Sequence, residues 1–259
     1  MSPSLPARSF SDGVEVRFSG NRVWPTLQWA AAVLVRSPVL IVVAIVASSL
    51  ELFFSDGDPL RWLASAVAVL LVTALAAIVA EDALDGRDRA VVSRLKDAVV
   101  ALPRLAIAFA LFVVALFFGA FLPIALIRFL GVLLAFAVVL YLLALFSIVF
   151  PAVVIDGSMS DGRAAFVDNR LLVVGLLIVV AIARAPVALV SPTLEEPVIA
   201  VALAVWAGVL TGLSTLAYAR VYLANRSHTN RSRMSGSGSR PATKTSADGW
   251  TFDSSDSGL

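Results

Sequence analysis

The amino-acid sequence predicts an all-α, polytopic membrane helix bundle with six transmembrane helices and short inner-face amphipathic helices. Of the 259 residues, 59% are apolar and the mean hydropathy is +0.93; soluble domains have roughly 45–50% apolar residues. Six separate stretches have the composition of a membrane span, and the basic residues are concentrated between alternate stretches. Lipid is therefore expected to surround most of the chain.

Six stretches are long enough to span a membrane, since a helix needs about 20 apolar residues to cross about 30 Å of hydrocarbon. They are residues 38–54, 60–80, 105–126, 130–150, 171–190 and 197–219. The third and fourth are nearly continuous, and Pro123, Arg128 and Gly131 mark a turn between them. One long helix would have more apolar length than tilting can accommodate, so a hairpin is expected there.

The basic residues predict the orientation, because cytoplasmic loops carry the excess of arginine and lysine. With the N-terminus inside, 17 of the 20 basic residues fall on the inner side, and only Arg61, Arg128 and Arg184 do not. The prediction is a multi-pass protein of the cell membrane with both termini cytoplasmic. The preference for arginine over lysine indicates a prokaryotic source.

Composition divides the chain into three parts. Residues 1–23 are a polar N-terminal segment without the apolar run of a signal peptide, and residues 24–224 form the six-helix membrane domain. Residues 225–259 are rich in Ser, Gly, Arg and Asp, which predicts a disordered cytoplasmic tail.

A threefold repeat is one interpretation of the inner segments. Arg36, Arg104 and Arg170 each precede a span and are 68 and 66 residues apart. An inner-face helix followed by a membrane hairpin, three times, would give this spacing. Three hairpins of similar length, with no internal repeat, would give it equally well.

Arg184 is the unusual residue within the spans, because an arginine in hydrocarbon needs a partner or access to water. It precedes Val190 by six residues, about 9 Å along a helix. Three interpretations remain open: the side chain reaches the outer interface, it pairs with Glu51 at a similar depth, or it lines a polar cavity. Pro186 is either a tolerated kink or a break that frees a backbone carbonyl.

The last span contains a row of small residues at intervals of four: Ala200, Ala204, Gly208 and Gly212. Such a row lets another helix approach closely. The sequence predicts a helix-packing face here, and it leaves open whether the partner is an internal helix or another subunit.

The chemistry available in the spans argues against catalysis. The chain has no cysteine, its one histidine, His228, lies in the polar tail, and Glu51 is the only carboxylate within the predicted spans. We therefore expect no catalytic residues, cofactor or metal. Nucleic acid is not an expected partner, because the basic residues do not form one face.

Two functions remain. The first is a non-catalytic structural or partner-binding membrane component that contacts the lipid bilayer and engages a protein through its inner helices or tail. The alternative is a small-solute or ion transporter that uses Arg184, Glu51 and Pro186. The sequence does not indicate an oligomeric state.

The stretch "FPAVVIDGSMSDGRAAFVDNRLLVVG", residues 150–175, resembles an uncharacterised family of six-span membrane proteins, mostly haloarchaeal. That family is similar to the membrane domain of glycerophosphodiester phosphodiesterases. The matching positions are Phe150, Pro151, Asp156, Gly157, Ala164, Ala165, Asn169 and Arg170. The resemblance implies a six-helix fold and no catalytic residue, because the phosphodiesterase site belongs to a separate soluble domain. The inner helix departs from the family in having "FVDN".

Overall fold

The computed structural model describes the backbone of residues 23–53, 59–190 and 197–237, and the side chains of residues 23–50, 63–119, 130–187, 189 and 198–227. Within these ranges the chain is helical apart from short connections. The helices are α1 (Val23–Val35), α2 (Pro38–Phe53), α3 (Pro59–Asp85), α4 (Val91–Ile155), α5 (Met159–Val190) and α6 (Pro197–Ser237). The compact unit ends at Arg226.

Helix α4 folds back on itself as two arms, Val91–Gly119 and Leu130–Ile155. The ring centroids of Phe112 and Phe146 are 5.0 Å apart, although 34 residues of straight helix would separate them by about 51 Å. A Cβ placed on Gly119 would lie 2.7 Å from Val138 Cγ1. The chain therefore reverses between Gly119 and Leu130, where the sequence predicts the hairpin.

The helices have the length and apolar character of a multi-pass membrane protein. Among the described residues five helices could each cross a membrane, and α1 and α2 form a further candidate pair bent by 99°. The outward faces of the α4 arms expose large apolar side chains, for example Phe118 and Phe136. Large exposed apolar side chains along a helix face are typical of a surface that contacts lipid. The coarse prediction of an all-α membrane bundle is confirmed.

Alanine allows the helices of the bundle to pack closely. In α3 the buried face includes Ala74, Ala76, Ala77 and Ala80, none of which has any exposed surface. Small side chains bring helix backbones together, and close van der Waals packing is what holds helices together in lipid. Helix α3 contacts both α2 and α4 and so contributes to the centre of the bundle.

The breaks between inner-face helices and spans differ among the three proposed repeats. The first lies between α1 and α2, and the third is a kink at Asn169, whose φ of −119° and ψ of 19° are not helical. At Arg104 the helix runs on without a break. The second inner segment is therefore continuous with its span.

Two helices extend beyond their predicted ends. Helix α3 continues past residue 80 to Asp85, so Glu81 and Asp82 belong to it. Helix α6 continues past residue 224, where the sequence predicts the start of the disordered tail, and ends at Ser237. Residues 1–22 and 238–259 lie outside the described residues.

Candidate functional site

One end of the bundle carries a network of ion pairs, which we call the charged end. It is formed by the end of α3, the start of α4, the α4–α5 turn and residues 220–226 of α6. The ion pairs formed by the described side chains all lie at this end. The sequence predicts it as the cytoplasmic side because the inner segments meet there.

Asp82 is the most buried carboxylate of the charged end, with 1% of the residue exposed. Arg89 Nε lies 2.8 Å from one of its oxygens and Arg94 Nε lies 2.7 Å from the other. Two guanidinium groups thus neutralise one buried carboxylate, which would otherwise be strongly destabilising. These pairs fix the α3–α4 turn against both helices.

Arg226 connects α6 to two other parts of the charged end. Its guanidinium lies 3.4 Å from Glu81 Oε1 and 2.9 Å from Asp156 Oδ1. The other oxygen of Asp156 accepts a hydrogen bond from the Tyr222 hydroxyl. Asp156 occurs in the turn that Gly157 closes with a φ of +68°, a conformation that glycine adopts without strain. The network therefore joins α3, α6 and the α4–α5 turn.

Helix α1 is attached to α6 through Arg220. The Arg220 guanidinium carbon lies 4.8 Å from the ring centroid of Trp29, and its Nη1 donates a hydrogen bond of 2.8 Å to the Pro25 carbonyl. A guanidinium over an indole face is a favourable cation–π arrangement. The side chains of Trp29 and Arg220 thus hold α1 against the rest of the bundle.

Arg184 of α5 donates a hydrogen bond to the Thr211 hydroxyl of α6. Thr211 is 14 residues after Pro197 and 15 before Arg226, which places it about half-way along the membrane part of α6. The guanidinium therefore extends toward the middle of the bundle. It does not extend toward the nearer end of α5.

The proposed partner of Arg184, Glu51, has a side chain that lies outside the described residues. Of the ion pairs formed by the described side chains, none includes Arg184. Its Nε is buried and has no hydrogen-bond partner among the described atoms. The described contacts of Arg184 thus satisfy only part of its donor capacity.

Pro186 lies one turn beyond a carbonyl that bonds outside its own helix. The Trp206 indole Nε1 donates a hydrogen bond of 2.9 Å to the Ala183 carbonyl. Proline lacks an N–H, so Pro186 leaves the Ile182 carbonyl without its helical donor, and the bond from Trp206 is made to the next carbonyl along the chain. Together with Arg184 and Thr211, this bond ties α5 to α6 near Pro186.

The row of small residues on α6 faces α2 and α1. A Cβ on Gly208 would lie 2.6 Å from Ile45 Cα, and one on Gly212 would lie 3.0 Å from a methyl group of Leu34. Ala200 and Ala204 are buried in the same row. The structure therefore brings this face against helices of the same chain.

A second row on α6 is polar, and the sequence analysis did not identify it. Thr211, Ser214, Tyr218 and Tyr222 are spaced three, four and four residues apart and are all buried, so they share one face. Ser214 donates to the Thr211 carbonyl, whereas the Tyr218 hydroxyl is buried and has no hydrogen-bond partner among the described atoms. The spacing of hydroxyl residues was the available signal.

The comparisons with known proteins leave the chain without an assigned relative: no family model, no curated protein and no solved structure matches it. Within the described residues, no group of three or more His, Cys, Asp or Glu side chains could hold a metal ion. Function is therefore inferred from the contacts and charges within the chain itself.

Proposed function

We propose that this chain is a non-catalytic structural or partner-binding component of the cell membrane, with six spans and with the charged end and both termini in the cytoplasm. The observation that carries the proposal is the pairing of carboxylates with arginines at the charged end. Asp82 is held by Arg89 and Arg94, and Asp156 by Arg226. The oxygens of these carboxylates are held by arginines of the same chain, as expected of a structural network.

The surface that we propose for a partner is the α3–α4 turn together with the start of α4. The Asp88 side chain is fully exposed, and Val92 is 78% exposed. Exposed apolar residues next to charges are typical of protein contact sites. We expect a cytoplasmic or membrane protein to bind here, in keeping with the orientation predicted from the arginines.

Site-specific photo-crosslinking in native membranes tests this function. A photoreactive residue at Val92 should form an adduct with one protein of defined mass. The matched control is Leu133 on the second arm of α4, which is 57% exposed and should react with lipid alone. Lipid adducts alone at both positions would contradict a partner at the charged end.

Transport of a small solute or ion is the second candidate, and the position of the Arg184 guanidinium favours it. Transporter sites are near the bilayer midplane, at interrupted helices, and the bond to Thr211 lies half-way along α6. Glu51→Gln and Arg184→Gln, singly and together, separate the candidates. Destabilisation by each single change that the double change reverses would indicate a structural pair. Unchanged stability with loss of flux in proteoliposomes would indicate transport.

A further inference from the structure

We infer that Arg184 and Tyr218 form a binding site for an oxyanion of the phosphate class between α5 and α6. The structural or partner-binding function proposed above does not depend on this site, whereas the transport candidate shares Arg184 with it. Arg184 belongs to α5 and Tyr218 to α6, and neither is part of the described ion-pair network at the charged end.

Two buried hydrogen-bond donors between α5 and α6 lack an acceptor in the described part of the chain. Arg184 Nε and the Tyr218 hydroxyl are both buried and both lack a hydrogen-bond partner among the described atoms. Tyr218 is only 7% exposed. Both groups can donate a hydrogen bond, and a guanidinium cannot accept one. A ligand that satisfies both must be an acceptor.

The side chains of Arg184 and Tyr218 extend toward each other. Side chains on a helix lean toward its N-terminus. The hydrogen bonds of Arg184 with Thr211 and of Asn169 with Asn225 show that α5 and α6 run in opposite directions. Arg184 therefore leans toward the charged end and Tyr218 leans away from it. Arg184 bonds to Thr211, and Tyr218 lies seven residues, about 10.5 Å, further along the same face of α6, so the two side chains approach each other along that face.

The positive charge of Arg184 also favours an anion as the ligand. A cation in a region of low dielectric is costly unless an anion lies beside it. The ion pairs of the described side chains leave Arg184 without a carboxylate. Thr211 cannot supply the charge, and its hydroxyl proton is directed to the Ala207 carbonyl. An anion would neutralise the guanidinium and accept from both unused donors.

The geometry of arginine selects the class of anion. Nε and one Nη form a planar fork that matches two oxygens of a carboxylate, phosphate or sulfate. The Tyr218 hydroxyl can donate to a third oxygen, which a phosphate or sulfate has and a carboxylate lacks. The same phosphate chemistry occurs in free inorganic phosphate and in the headgroup of an anionic phospholipid. The experiment below distinguishes these two sources.

The test measures binding of radiolabelled inorganic phosphate to the full-length purified protein, together with native mass spectrometry of bound phosphatidylglycerol. The variants are Arg184→Gln and Tyr218→Phe. The control is Tyr141→Phe, which removes a hydroxyl from a tyrosine that is 52% exposed and packs on Phe166. Tyr218→Phe removes a hydroxyl without a described partner, so this variant should fold even if Arg184→Gln does not.

We expect saturable phosphate binding that Arg184→Gln abolishes, that Tyr218→Phe weakens about tenfold and that Tyr141→Phe leaves unchanged. Retention of one phosphatidylglycerol with the same pattern, without phosphate binding, supports the site with a lipid as its ligand. The inference is overturned if neither probe binds, or if Tyr218→Phe and Tyr141→Phe bind equally. It is also overturned if Glu51→Gln restores the stability of Arg184→Gln, because Arg184 would then be paired within the protein.

Discussion

Gly208→Ala tests the close packing of α6 on α2. The new Cβ would lie 2.6 Å from Ile45 Cα and 2.7 Å from Ile45 N. Ordinary van der Waals contact begins at 3.4 Å, so the α2 backbone must move by about 0.8 Å. A backbone cannot rotate away as a side-chain end can. Overpacking of this kind costs about 1–3 kcal/mol, and the gain in helix propensity returns about 1 kcal/mol.

We therefore expect Gly208→Ala to lower the free energy of unfolding by about 0–2 kcal/mol, as measured by reversible SDS-induced unfolding in mixed micelles. The matched control is Gly212→Ala in the same row, whose Cβ would lie 3.0 Å from a Leu34 methyl group and 3.8 Å from the Ala44 Cβ. The Leu34 methyl group can move by a few tenths of an ångström, so the control keeps most of the gain in helix propensity and should be more stable than Gly208→Ala by about 1–3 kcal/mol. Equal stability of the two variants would refute the close approach of α6 to α2.

Two further contacts are tested by the same unfolding assay. Asp82→Ala should lower the free energy of unfolding by about 2–3 kcal/mol. Breaking a fully buried ion pair costs about 3–5 kcal/mol, and the loss is smaller here because Arg89 and Arg94 keep other carboxylates nearby. Asp85→Ala, which removes an exposed pair with Arg87, should cost at most about 1 kcal/mol; equal losses would show that burial of Asp82 is unimportant. Trp206→Phe should cost about 1 kcal/mol through loss of the bond to the Ala183 carbonyl, and an unchanged stability would exclude that bond.

The positions of the apolar helices could be predicted from the sequence, because membrane thickness sets their length. The predicted spans begin at residues 38, 60 and 197, and the helices begin at Pro38, Pro59 and Pro197. Proline at the first helical position is favourable and gives a clear signal. Pro103 gives the same signal inside α4, and the sequence predicts a span that begins at residue 105, whereas the helix runs through this position without a break.

The partners of the polar residues could not be predicted, because they come from distant parts of the chain. Thr211 is 27 residues from Arg184, and Asp156 is 66 residues from Tyr222. Composition indicated that a guanidinium in lipid needs a partner, and it suggested Glu51 from depth alone. Depth does not determine which helices are neighbours or toward which end of its helix a long side chain extends.

Cysteine labelling in a chain without native cysteine tests the orientation of the charged end most directly. In Asp88→Cys the thiol would replace a fully exposed side chain. A membrane-impermeant maleimide should label it in inside-out vesicles and leave it unlabelled in intact cells, with the opposite result for Asp58→Cys in the predicted outer loop. Labelling of Asp88→Cys in intact cells would contradict a cytoplasmic charged end.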